Sequence, residues 1–264
     1  MTPEALRLLA FGGSLLLLGL AEWRWPLQAE SPYRLRRWGQ HAGLALLNSL
    51  LIRGMFASAA VGAAHWASAQ QLGLLPWLGQ HLGLPNFAQG LLGFVLLDLA
   101  LYLQHRLFHH WPWLWRLHRV HHADPMLDAS SGLRFHPLEA LLSMGFKMLM
   151  VIALGLPAAW VLAFEIWLNS CALFNHSNLR LPARLERSLR WLLITPELHR
   201  IHHGQRQHQQ QRNFGFSVSC WDRWLGTYCD HSQPLVLGDS AWPAGPQRWR
   251  QLLLEIPQRP VSKD

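Results

Sequence analysis

The sequence predicts an all-α fold: a multi-pass membrane helical bundle of about four to five membrane segments, carrying a cytoplasmic histidine-lined helical cap. Three observations predict it. Half of the 264 residues are hydrophobic and only 14% are charged, with 15 Trp, which is the composition of a membrane protein. Long apolar runs alternate with short connections rich in Gly and Pro. Most of the sixteen histidines gather near the ends of those runs, at helical spacing.

The first apolar run covers residues 4–21, interrupted by Arg7, and as a helix it spans about 27 Å, close to the hydrocarbon thickness of a bilayer. It reads as a retained anchor rather than a signal peptide, because a basic leader and a small-residue cleavage site are not evident. Trp23 and Trp25 follow at the expected interface. Arg24, Arg34, Arg36 and Arg37 then form a short basic loop, which the positive-inside rule assigns to the cytoplasm. A second span is expected over residues 42–67. It contains Arg53 and His65, and Arg53 is expected to face other helices, since an unpaired charge in lipid costs several kcal/mol.

Residues 68–85 carry no Lys, Arg, Asp or Glu and read as a loop on the opposite side. The third span, residues 86–104, returns to the cytoplasm and delivers His105 at its end, with Asp98 two turns earlier on the same face. Residues 138–174 form an apolar run broken at Gly155-Leu156-Pro157, long enough to cross and return as a hairpin. Glu165 and Asn169 share a face of its second limb, either lining a cavity or bonding to each other. Residues 181–194 set Arg184, Arg187 and Arg190 against Leu185, Leu189 and Leu192, the pattern of a helix lying on a membrane surface. With this topology only Arg7, Arg53 and Lys147 of the 23 basic residues fall outside cytoplasmic regions. No linker divides the chain. Residues 1–85 read as N-terminal membrane helices, 86–230 as a catalytic unit and 231–264 as a cytoplasmic tail.

The most specific stretch is HRLFHHWPWLWRLHRVHH, from His105 to His122. His105 and His109 are four apart and share one helix face, so they can hold a metal from two sides. His118, His121 and His122 read as a second set on one face. HRIHH repeats that pattern with His199, His202 and His203. Eight histidines exceed the three or four protein ligands of a single zinc site, and two metal ions are the natural count. An expression tag would be terminal and unbroken; these groups are internal. His136, pushed out of helix by Pro137, and His176, at the hairpin exit, are further candidates. Asp98, Asn175 and Glu197 are candidates for hydrogen-bonding to the ligands, with a polar contact to another helix as the other reading of Asp98. Trp111, Trp113 and Trp115 read as an interfacial ridge.

The net charge of +8 would fit a nucleic acid partner, but the arginines are scattered beside apolar spans rather than gathered with exposed aromatics, so no nucleic acid is expected. Cys171, Cys220 and Cys229 make neither a CxxC pair nor an even disulfide set, and read as reduced thiols.

HRLFH, HRVHH, RFHPLE, FNHSN, TPELHRIHH and NFGFSVSCWDRWLGTY, in this order, resemble the motifs of the sterol desaturase and fatty acid hydroxylase superfamily over about residues 86–230. The resemblance implies an integral-membrane oxygenase with a histidine-coordinated non-haem di-iron centre on the cytoplasmic face. It implies iron ligands at His105, His109, His118, His121, His122, His176, His199, His202 and His203, and at His136 as in part of the superfamily. Imidazole by itself suits Zn, Cu, Fe and Ni alike. Hydrolysis would need a general base beside a metal-bound water, and the acids near the histidines form no HExxH. The chain carries no GxGxxG or CxxCH motif, so electrons would come from an external donor of ferredoxin or cytochrome b5 type. The expected reaction is hydroxylation or desaturation of a lipid C–H bond with dioxygen, the lipid being a sterol, a fatty acyl chain or a relative. The alternative is a non-enzymatic metal-binding, storage or transport protein. A transporter should carry its ligands near the midplane, whereas these groups gather at the span ends.

Overall fold

A computed structural model describes residues 1–56, 58–242 and 247–254. Its longer helices are α1 (Pro3–Arg24), α2 (Arg34–Phe56), α3 (Ala59–Ala69), α4 (Leu74–Leu82), α5 (Asn86–His110), α6 (Pro112–His122), α7 (Pro137–Leu154) and α8 (Ala158–His176). Short helices follow: α9 (Ala183–Leu189), α10 (Pro196–His202), α11 (Gln207–Gln210), α12 (Cys220–Trp224) and α13 (Trp249–Leu253). Among the described residues the only β pairing is three isolated bridges. Five stretches are long and apolar enough to cross a bilayer, within residues 3–24, 34–82, 86–110, 137–154 and 158–176, and the chain is a multi-pass membrane protein.

The helices pack as lipid requires. Hydrocarbon is as apolar as leucine, so burying leucine does not drive helices together there, and close backbone approach through small residues does. Accordingly α1 leaves Leu8, Leu9, Leu16, Leu17 and Leu20 outward. Helix α3 buries Ala60, Ala63 and Ala64 in one core with Leu97 of α5, Val151 and Leu154 of α7, and Phe164 of α8. The expected hairpin is present, with Gly155 ending α7 at φ 67° and Pro157 preceding α8. Gly73 lies against this turn: a Cβ there would come 2.3 Å from the Gly155 Cα, so the two connections abut backbone to backbone.

Several expectations change. The second span begins earlier, because the first turns of α2 bury Arg37, Gln40 and His41 among polar partners and so escape a hydropathy reading. It is also divided between two helices, α2 ending at Phe56 and α3 starting at Ala59, which takes φ 46°. Arg53, in the last turn of α2, is exposed rather than turned toward other helices. Residues 68–85 are not all loop, since they contain α4, a nine-residue helix too short to show a clear period between its flanking glycines. Asn169 lines a cavity, whereas Glu165 does not bond to Asn169. Glu165 takes Arg7 of α1 at 2.5 Å and Lys147 of α7 at 2.9 Å.

At the other end of the bundle, buried ion pairs fix the cap to the helices. Arg37 donates to both oxygens of Asp124, at 2.9 and 2.7 Å, and to Asp128 at 2.7 Å. Burial opposes ionisation of Asp124, yet the Arg37 guanidinium holds its carboxyl below the usual carboxylate range. Arg119 pairs with Asp239, and Arg200 reaches Gln28 and Asn178 at 2.9 and 2.8 Å. A planar, permanently charged fork suits such buried, several-pointed contacts. The described part of the C-terminal segment belongs to this cap: Trp242 and Leu252 pack with Leu44, Val120 and Ala123.

Candidate metal centre

Nine histidines meet beneath the cap in two groups, His105, His109, His118, His122 and His202 in one, and His121, His176, His199 and His203 in the other. All nine are buried, and within each group the ligating atoms lie within 4.8 Å of one another. Four helices supply them. The last turns of α5 carry His105 and His109, α6 carries the next three, α8 ends in His176, and α10 with the residue after it carries the rest.

The repeated motif does not behave as one face. In α6, His118 and His122 enter the first group while His121 enters the second; around α10, His199 and His203 enter the second while His202 enters the first. Each motif keeps its i and i+4 histidines together and lends its i+3 histidine to the other group. Helix geometry gives the reason: at about 100° per residue, i+4 falls roughly 40° to one side of i and i+3 roughly 60° to the other. The two groups therefore interlock.

The protonation pattern identifies what the rings are arranged for. His105 Nδ1 is 2.7 Å from the Phe214 carbonyl, His202 Nδ1 2.8 Å from that of Arg212, and His176 Nδ1 2.7 Å from that of Ala172. A carbonyl only accepts, so each Nδ1 is the protonated nitrogen, and each neutral ring turns a bare Nε2 lone pair inward. His118 is fixed in the same way by the Glu139 carboxylate, 2.5 Å from its Nδ1. Yet His105 Nε2 lies 3.0 Å from His118 Nε2 and 3.1 Å from His202 Nε2, and His176 Nε2 lies 3.0 Å from those of His121 and His199. Facing lone pairs at that distance repel, and a cation between them converts the repulsion into ligation. Both nitrogens of His109, His122 and His203 are also buried without a hydrogen-bond partner among the described residues. Burial keeps the rings neutral, as metal binding requires: it pushes His118 down to about 3, and lowers His121, His122, His199, His202 and His203 as well. The donor set fits two metal ions, five imidazoles around one and four around the other.

Aromatic rings pack around the centre. Phe216 stacks on His105 at 4.6 Å between centroids, Phe135 stacks on His121 at 4.5 Å, and Trp115 lies against His109 and His122. The segment behind Phe214 is held by Asp222, which accepts from the Phe214 and Gly215 amides at 2.8 and 2.9 Å and from the Thr227 hydroxyl. One side opens. A cavity of about 320 Å³ between α2, α5, α7 and α8 reaches His105 and His118.

Four expected residues stand elsewhere. His136 joins neither group, because its Nδ1 caps α7 by accepting from the Leu138 amide at 3.1 Å while Nε2 turns to the Leu253 carbonyl. Asp98 accepts from Ser217 and, at 2.7 Å, from Trp221 Nε1, so it pins α12 to α5 without touching a histidine. Asn175 donates to the Phe216 carbonyl at 2.8 Å, bracing the ring stacked on His105. Glu197 is half-exposed beside Arg190 and points away from the centre. The carboxylate that does orient a ring is Glu139. Its signal was a buried-type acid in the first turn of an apolar run. The carbonyls of Ala172, Arg212 and Phe214 leave no such mark in a sequence.

The fatty acid hydroxylase family profile matches residues 90–227, more than half of the chain and the whole of the histidine constellation, and the chain belongs to that family. Ornithine lipid hydroxylase OlsE of Rhizobium tropici is 30% identical over 154 residues, which cover 57% of this chain and 44% of the relative. Alkylglycerol monooxygenase of Danio rerio is 30% identical over 154 residues, 56% of this chain and 32% of the relative, and that of Homo sapiens 26% identical over 152 residues, 55% and 32%. The matched segment thus spans less than half the length of each of these relatives. No solved structure matches the chain.

Proposed function

We propose that the protein is a membrane-bound di-iron oxygenase that inserts oxygen from dioxygen into a C–H bond of a lipid, with hydroxylation favoured over desaturation. The observation that carries this reading is the pairing of two interlocked histidine groups with a cavity that reaches the bundle interior from beside one of them. The names of the relatives, a lipid hydroxylase and a monooxygenase, support the same chemistry.

The nine grouped histidines would hold the metals, and iron bound there supplies activation of dioxygen for attack on an unactivated C–H bond. The chain's own part is to place and protect. Phe214, Arg212, Ala172 and Glu139 fix which nitrogen of each ring faces inward. Phe135, Phe216 and Trp115 exclude water, which keeps a reactive centre from being quenched. Leu101, Phe108, Met144 and Leu168 give the cavity the apolar wall that a lipid segment requires. One oxygen atom enters the product and the other leaves as water, which takes two electrons and two protons from outside. A separate donor of ferredoxin or cytochrome b5 type supplies the electrons. The centre faces the cytoplasm, because the arginine-rich connections lie on its side of the bundle.

Turnover under isotopically labelled dioxygen with a reductase system tests the proposal. Label in the lipid product is the expected result. Equal product formation without oxygen overturns it, and an unlabelled double bond replaces hydroxylation by desaturation.

A further inference from the structure

The cavity beside the first histidine group is more polar than a saturated hydrocarbon tail requires. Glu139, Ser143 and Lys147 recur every fourth residue of α7, so one face of an otherwise apolar helix presents three polar side chains to it. Gln104 of α5 and Asn169 of α8 line the same space. Glu139 is accounted for by His118. Lys147 is not accounted for in the same way. Its Nζ donates to Glu165 Oε1 at 2.9 Å while Arg7 takes Glu165 Oε2 at 2.5 Å, so two cations share a single carboxylate within the spans. Among the described residues no other Asp or Glu pairs with either cation, so the trio of Arg7, Lys147 and Glu165 carries one net positive charge, and Lys147 is the cation of the two that lines the cavity. An uncompensated charge inside a membrane bundle is expensive, and its partner is sought in what the bundle binds.

We infer that Lys147 docks the acidic end of a long-chain lipid, a carboxylate or an alkyl phosphate, and thereby selects the substrate class. The inference rests on the cavity being the substrate pocket proposed above. The helices also place the docking point. Glu139 to Lys147 is about 12 Å along α7, and Glu165 to His176 about 16 Å along α8. A lipid anchored at Lys147 therefore presents to the histidines a carbon remote from its acidic end.

The test is equilibrium binding of palmitate, hexadecyl phosphate, methyl palmitate and hexadecanol to the full-length protein in detergent. The wild type should favour an acidic ligand over its neutral counterpart by about tenfold, the scale of one charge-assisted hydrogen bond. Preference for palmitate alone identifies a carboxylate ligand, and preference for hexadecyl phosphate alone a phosphate. K147Q should bring the ratio within about twofold, and K147R should keep it. The ratio is the readout, so a general loss of affinity does not imitate the result. Equal wild-type affinities overturn the inference without any variant, as does a K147Q protein that keeps the preference. Binding needs no turnover. If the acidic preference is absent while oxygen-dependent oxidation of neutral lipid persists, this inference falls and the proposed function stands; an acidic preference without any oxidation has the reverse meaning.

Discussion

Glu139 Oε1 lies 2.5 Å from His118 Nδ1, so an acid in the first turn of α7 fixes the ring orientation of a histidine thirteen residues beyond His105, on a different helix. Both side chains are buried. Removing such a partner of a ligating histidine typically costs 10- to 100-fold in metal affinity or activity. E139Q should therefore lower metal affinity by about that factor, read by chelator competition on purified protein. Unchanged affinity would show that His118 needs no such support.

Alanine at His109 or His202 should abolish oxidation and lower the metal content, whereas alanine at His208 or His231, both exposed and in neither group, should leave two metals per chain. Elemental analysis decides this. One metal in the wild-type protein, or a full complement in H109A, contradicts the paired centre.

H136A separates capping from ligation at a residue that the sequence puts with the grouped histidines. Its Nδ1 accepts from the Leu138 amide at the start of α7, and losing a cap of this kind costs about 1 kcal/mol. The variant should unfold at lower temperature while retaining both metals. Loss of a metal at unchanged stability would return His136 to the ligand set.

Much of this was legible because helical spacing is a strong constraint. The spans, the turn at Gly155-Leu156-Pro157 and the three histidine motifs follow from periodicity and from residue types with narrow uses. The division into five and four was not legible, since it depends on a divergence of only about 100° between His121 and His122, which reading both as partners of His118 conceals. Arg37 was hidden for another reason. It reads as one of several loop arginines, and only the fold reveals that Asp124 and Asp128, 87 and 91 residues later, close around it. At Asp98 two readings were open, and the structure shows the polar contact to another helix, through hydrogen bonds to Ser217 and Trp221 from a later segment that the phase toward His105 does not reveal.

The Arg37 cluster carries its own test. Breaking a buried pair by removing one partner leaves an uncompensated charge, at a cost of about 3–5 kcal/mol. R37M should sharply lower the unfolding temperature in detergent, and D124N should do the same. A wild-type temperature for either variant would mean that water reaches the site.

Topology can be read by labelling. A cysteine placed at exposed Gln207, in a chain whose own three cysteines are replaced, should react with a membrane-impermeant maleimide only after the cytoplasmic side is opened. Labelling of intact cells from outside would invert the assignment.

The exchange of His121 and His202 between the two groups bears on how the centre is filled. On the proposed reading, each metal is gripped by side chains from both α6 and the α10 region, so the first ion to arrive must already dock these segments against each other. The ordering entropy is lost once, and the second ion meets a prearranged set of donors. By linkage, each ion then raises the affinity of the other by the same factor. Loading becomes cooperative, with half-filled molecules scarce at every metal concentration, and a cell short of iron would hold this enzyme as a mixture of complete and empty copies rather than as a uniform population of impaired ones.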